Sequence, residues 1–339
     1  MGGGDAHPGP AAQMIMSAFR HVAAERTIVF GASAVVEAED LIGSGYTLLC
    51  TARTSLLEPS LSERAASVVE VPPGLVEDVA GDLRPKVTGA RLVALGGGRV
   101  IDVAKALTAA DGPRSLIAIP TTLSAAEMTG RHRHARGVPG ETAHARASIV
   151  INDPALSASQ PLGELAASSA NSLGHATAAL LSDRANPITH TFAAEAIRRM
   201  WDAWRADEPD RGEVALAALL SGWAVDVTGI GLHHVLAQTA VRTVGASHAG
   251  ANAALLPWTL AAMAARRPGV LEALNVDAEA LALMLRERSG PSELRALTLD
   301  PEMLERTLDS VARRPELGRM SSPPEEAELR AIYASAAAA

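Results

Sequence analysis

From Arg26 onward the chain alternates short apolar runs with longer segments whose apolar positions recur every three or four residues. The runs, at residues 27–31, 47–50, 67–71, 91–95 and 116–119, have little or no polar face, the mark of parallel strands buried on both sides. Segments 33–41 and 101–110 have helical length and spacing, and strand–helix alternation predicts a parallel sheet covered on both faces.

After Asp153-Pro154 the pattern changes. Segments 162–181, 190–204, 213–228 and 255–265 are Ala- and Leu-rich with few strand signals, so helices alone are expected there. Polar breaks at 207–212 and at 314–326, the latter with Pro315, Pro323 and Pro324, read as loops between helices. The fold class expected is α/β: an N-terminal Rossmann-like parallel-sheet domain over residues 1–154 and an all-helical domain over 155–339. Residues 1–12, with Pro8 and Pro10, read as a loose tail; Ala6 stands where a myristoylation motif needs Ser or Thr, and no leader sequence is recognisable.

Composition narrows the class. With 339 residues, 48% of them hydrophobic, two packed domains are within reach. A net charge of −8, with basic residues scattered rather than clustered, argues against nucleic acid as a partner. The single cysteine, Cys50, lies in an apolar run; it permits no intrachain disulfide and points to a buried strand position in a reducing, cytoplasmic setting. No segment reaches the roughly 18–20 apolar residues of a membrane span, since the nearest, 251–265, carries Asn252 and Pro257.

Chemistry enters at Gly96-Gly97-Gly98, between an expected strand and an expected helix. Glycines let backbone N–H groups approach a diphosphate while the following helix presents the positive end of its dipole. Three glycines alone also describe an ordinary strand-to-helix turn. Downstream, Thr121 and Thr122 follow another buried strand in Ile119-Pro120-Thr121-Thr122-Leu123-Ser124-Ala125-Ala126-Glu127-Met128-Thr129, where small hydroxyls can donate to phosphate or ribose without crowding it. In the helical half, Asn171 and His175 lie four apart, on one helix face. Gly231-Leu232-His233-His234, then Gln238, and later His248 follow.

These motifs resemble the iron-containing alcohol dehydrogenase family. Gly96 to Lys105 is similar to its Gly-Gly-Gly-x-x-x-Asp-x-Ala-Lys phosphate motif, including Asp102 and Lys105, and residues 119–129 resemble its Pro-Thr-Thr-x-x-x-x-Glu-x-Thr segment. The resemblance implies cofactor contacts at Gly96, Gly97, Gly98, Arg99, Asp102, Lys105, Thr121 and Thr122 for NADH or NADPH. It also implies a site of His175, His234, His248, Asn171 and Gln238, with the three histidines as ligands if a divalent metal, iron or zinc, is bound. Asn171 in place of the family's Asp, together with Gly-Leu-His-His, resembles the maleylacetate reductase branch. The neutral amide weakens metal binding, and Gln238 and Ala178 replace a His and a Glu that the family commonly carries. Arg53, with no acid at the end of the second strand, leans towards NADPH tolerance.

The activity so implied is hydride transfer from NAD(P)H to an oxo-acid such as maleylacetate, or to a related carbonyl or alkene, by a cytoplasmic homodimer. Arg99 or the Arg131–Arg136 segment would bind the acid groups. A metal-dependent alcohol or polyol dehydrogenase and a catalytically silent homologue are the alternatives. His144, His190 and His233 receive no role.

Overall fold

The computed structural model describes residues 19–23 and 26–338; the expected loose tail at 1–12 lies outside them. A seven-stranded sheet is built from β1 (Phe19–Ala23), β2 (Arg26–Phe30), β3 (Thr47–Cys50), β4 (Ser67–Glu70), β5 (Arg91–Gly96), β6 (Ser115–Pro120) and β7 (Ile149–Asn152). Its order is β1-β2-β7-β6-β5-β3-β4, parallel throughout except for β1, which pairs antiparallel with β2 at one edge.

Strand side chains point alternately to opposite faces, and both faces are covered over the inner strands; β4, expected to be buried on both sides, is instead an edge strand with Ser67, Val68 and Glu70 exposed. In β5, Leu92 and Ala94 join one apolar cluster while Val93 and Leu95 join another on the reverse side, which explains the uninterrupted apolar run. The first cluster continues from the sheet into the helical half, reaching Tyr333 near the far end of the chain.

Ten helices of eight residues or more occur among the described residues: α1 (Val76–Leu83), α2 (Gly98–Ala110), α3 (Leu162–Leu180), α4 (Pro187–Ala203), α5 (Arg211–Thr228), α6 (Leu232–Thr243), α7 (His248–Arg266), α8 (Ala278–Ser289), α9 (Pro301–Ala312) and α10 (Glu326–Ala338). α3 is buried at every position from Leu165 to Leu180. A helix buried all round belongs at the centre of a bundle, and α4, α5, α7 and α8 pack against it.

Three further expectations need correction. Segment 33–41 is not one helix but two single turns, Ala34–Glu37 and Glu39–Ile42, entered through a left-handed Ser33 (φ 59°) and broken at Ala38. Strands β1 and β7 lie where no strand was expected. β7 offers only four residues after a polar, basic stretch, and pairing with β2 and β6 makes it a strand. The helix expected over 255–265 starts at His248 and runs through Pro257. Ser247 caps it, its Oγ accepting from Gly250 N at 3.2 Å. No single helix among the described residues is long and apolar enough to cross a membrane.

Candidate active site

Gly96 pairs with Pro120 in the β5–β6 register, so the segments leaving these strands emerge side by side at the carboxyl edge of the sheet, where open α/β sheets place their ligand crevices. Thr121 N donates to Gly96 O at 3.0 Å. Gly97 caps α2 and Gly98 opens it. A Cβ on Gly96 would lie 2.6 Å from Val100, one on Gly97 3.0 Å from Thr122 and one on Gly98 3.0 Å from Ser124. Glycine is thus required for the turn to lie against residues 122–124. Arg99, in the first turn of α2, is exposed.

Lys105, expected at the cofactor, is placed elsewhere. It is fully buried, and its Nζ lies 2.7 Å from Asp102 and donates to the carbonyls of Ala126 (2.9 Å), Thr129 (3.1 Å) and Arg131 (3.0 Å). An ammonium has three N–H groups, so Lys105 is spent tethering loop 126–131, and Asp102 is spent on Lys105. Next to this tether sits Glu127, 1% exposed. Burial outweighs the nearby positive charges of Lys105 and Arg26 and pushes its carboxyl up to about 7.

The helical half brings Asn171, His175 and His234 together. His175 and His234, from α3 and α6, stack with ring centroids 4.0 Å apart and planes within 9°. Asn171 Nδ2 donates to Leu123 O at 3.2 Å, which turns Oδ1 towards His234 Nε2, also at 3.2 Å. In that orientation Nε2 carries the proton and donates. His175 Nδ1 and His234 Nδ1 are left buried without hydrogen-bond partners. Burial first, then repulsion from His233 and His248, lowers His175 to about 3; burial likewise holds His234 well below its ordinary value. Both imidazoles are neutral near pH 7.

His233, given no role from the sequence, is a packing residue with a hydrogen bond: Nδ1 lies 2.8 Å from Thr259 Oγ1, and the ring lies so close to Gly174 that a Cβ there would approach Cδ2 to 2.3 Å. His248 opens α7 with its residue surface exposed, yet burial of its imidazole lowers its pKa, and its ring stacks on neither His175 nor His234. Gln238, one turn beyond His234, gives its carbonyl to Arg314 Nη2 at 3.0 Å. Arg314 is the partner the sequence did not reveal: it lies 76 residues away in a stretch read only as a loop. Of the basic segment, Arg136 pairs with Asp78 and Asp82, and His132, His134 and His144 pack ring against ring.

Among the described residues no three His, Cys, Asp or Glu side chains are arranged to hold a metal ion. Asn171 Oδ1 and His234 Nε2 are paired with each other, and the rings of His175 and His234 lie stacked instead of aiming their nitrogens at one point. These residues do not fit an iron or zinc centre.

A parallel sheet with a glycine turn at its carboxyl edge is thus joined to a helical half presenting neutral imidazoles. The family model described as Fe-containing alcohol dehydrogenase family, C-terminal, matches residues 165–312. The chain is 30% identical over 329 residues to a maleylacetate reductase of Burkholderia cepacia, covering 88% of this chain and 93% of that one. It is 30% identical to a maleylacetate reductase of Sphingobium indicum over 77% of this chain and 74% of the relative. The crystal structure of maleylacetate reductase from Agrobacterium tumefaciens superposes with a TM-score of 0.77 at 28% identity, covering 94% and 97% of the two chains. The chain belongs to the iron-containing alcohol dehydrogenase family, on its maleylacetate reductase branch, and is an oxidoreductase.

Proposed function

We propose that this enzyme reduces a small oxo-acid of the maleylacetate type with NADH or NADPH. One observation carries the reading: residues 122–124 lie against Gly97 and Gly98 on one side, while Leu123 holds Asn171 on the other through its carbonyl. Cofactor turn and imidazole cluster are thereby joined through three consecutive residues.

Gly96, Gly97 and Gly98 would take the cofactor diphosphate on backbone N–H groups at the start of α2, with Thr121, Thr122 and the exposed Arg99 beside them. The reduced nicotinamide supplies the hydride. Asn171 fixes the tautomer and tilt of His234, and the stacked His175 is held with it. His248, at the positive end of α7, adds a donor for negative charge developing on the acceptor oxygen. Because His175 and His234 are neutral near pH 7, they act by hydrogen bonding and not as stored imidazolium acids. We further propose a homodimer acting in the cytoplasm, a domain division at 154/155 and the NADPH tolerance read at Arg53.

The test is a spectrophotometric screen of NADH and NADPH oxidation with maleylacetate, other oxo-acids and aldehydes, with and without a chelator. Oxidation with an oxo-acid that survives chelation is expected. Absence of both cofactor binding and cofactor oxidation with every acceptor overturns the reading.

A further inference from the structure

A cavity of about 150 Å³, partly open to solvent, begins one turn along the chain from the imidazoles. Small residues line it there: Ala178, one turn beyond His175 on α3, and Gly231, just before α6 and His234. A Cβ on Gly231 would already sit 3.5 Å from Ala178. Its walls are basic. Arg131, Arg184, Arg266, Arg267 and Arg319 line it against two acids, Asp183 and Glu316.

The acids are already engaged. Asp183 pairs with Arg267 and accepts from Ser321 N and Ser321 Oγ, both at 2.8 Å. Glu316 is held by Arg314 through two hydrogen bonds, at 3.1 and 2.9 Å. Arg266 is neutralised by Glu328 at 2.6 Å. Arg131, Arg184 and Arg319 have no ion pair among the described residues, and all three are exposed. The cavity therefore carries a surplus of three guanidinium groups. Arg131 is also fixed in place through its carbonyl by Lys105.

We infer that Arg131, Arg184 and Arg319 form an acceptor site for the carboxylates of a small dicarboxylic acid and select the substrate's acid end. This rests on the reductase reading and makes it specific. It moves the acid-binding role away from Arg136, whose guanidinium is spent on Asp78 and Asp82, and from Arg99 at the glycine turn. Guanidinium–carboxylate pairs are charge-assisted and often bidentate, so a two-carboxylate ligand gains over a monocarboxylate of the same size.

The test uses the full-length protein and two probes, succinate as an unreactive dicarboxylate and maleylacetate as substrate. In Arg184→Gln/Arg319→Gln, succinate affinity by calorimetry should fall by about tenfold or more, and KM for maleylacetate should rise by a similar factor with KM for the cofactor unmoved. Arg136→Gln, outside the cavity, should leave succinate affinity unaltered. Wild-type protein that does not bind succinate, or a double variant that binds it as wild type does, overturns the acid site. Arginine-dependent succinate binding by a protein that never oxidises NADH or NADPH overturns the reductase reading and leaves the acid site standing.

Discussion

The glycine turn and the imidazole cluster are joined through residues 122–124, yet they are built by opposite means. The turn works by lacking side chains: its three glycines leave room for the side chains of Val100, Thr122 and Ser124, and its segments, 96–98 and 121–124, are close in sequence. The cluster works by burying side chains. Asn171, His175 and His234 come from two helices, and their neutrality is a product of burial, not of their identity. Substitution should therefore act sterically at the turn and chemically at the cluster.

The largest effect tests the chemical half. His175 and His234 are buried, so replacing them would mix catalysis with folding; His248 is exposed at the start of α7. His248→Ala should lower kcat by about 10²–10⁴-fold with little change in Tm, the range for a positioned proton-transfer or hydrogen-bonding group. Steady-state rates beside a thermal melt decide it, and full activity in a folded variant removes His248 from the site. Next comes the steric half. Gly97→Val would push a branched side chain into Thr122. KM for NADH or NADPH should rise by about 10–100-fold, while succinate affinity stays put. A fall in both together would mean that the two regions are one mechanical unit.

A third substitution asks whether the cluster depends on packing as well. Gly174→Ala places a methyl 2.3 Å from His233 Cδ2, between α3 and α6. Overpacking of this kind costs about 1–3 kcal/mol, and denaturant unfolding should show that loss. An unchanged midpoint would mean that α3 and α6 separate freely, so that the stacking of His175 on His234 is not enforced by their helices.

Legibility in the sequence follows the same division. β2, β3, β5 and β6 are readable because burial on both faces writes itself as an unbroken apolar run, whereas β4, expected to be buried in the same way, is an edge strand with Ser67, Val68 and Glu70 exposed. β1 and β7 are not readable, because one lies at the edge and the other is four residues held by its neighbours. Gly96 to Gly98 were readable as a turn, since turn geometry is local. Lys105 carries the same motif yet points into the protein, because its partners are carbonyls and carbonyls belong to every residue alike. Gln238 stands out in the sequence without its partner Arg314, and the basic cavity with Arg184 and Arg319 leaves no trace, since its lining comes from segments as far apart as Arg131 and Ser322.

The smallest effect probes Glu127, in the segment that links the two regions. Its carboxyl is pushed from 4.5 up to about 7 by burial, against the pull of Lys105 and Arg26 and with the help of Asp102. A pKa raised in the folded state means that folding favours the protonated form. The stability it contributes is complete below pH 4.5 and is lost as pH climbs through 7. His175 and His233, lowered to about 3, pull the other way: they stay neutral in the folded protein while the unfolded chain takes up protons below pH 6.5. A bare pH–stability curve mixes the two, but comparison with Glu127→Gln cancels the histidines. Between pH 6 and 8 the variant should gain about 1 kcal/mol on wild type in unfolding free energy. A difference that stays flat over that window would mean that Glu127 is already ionised at pH 6, held as a carboxylate by Lys105, and that the linking segment carries a charge at the join between turn and cluster.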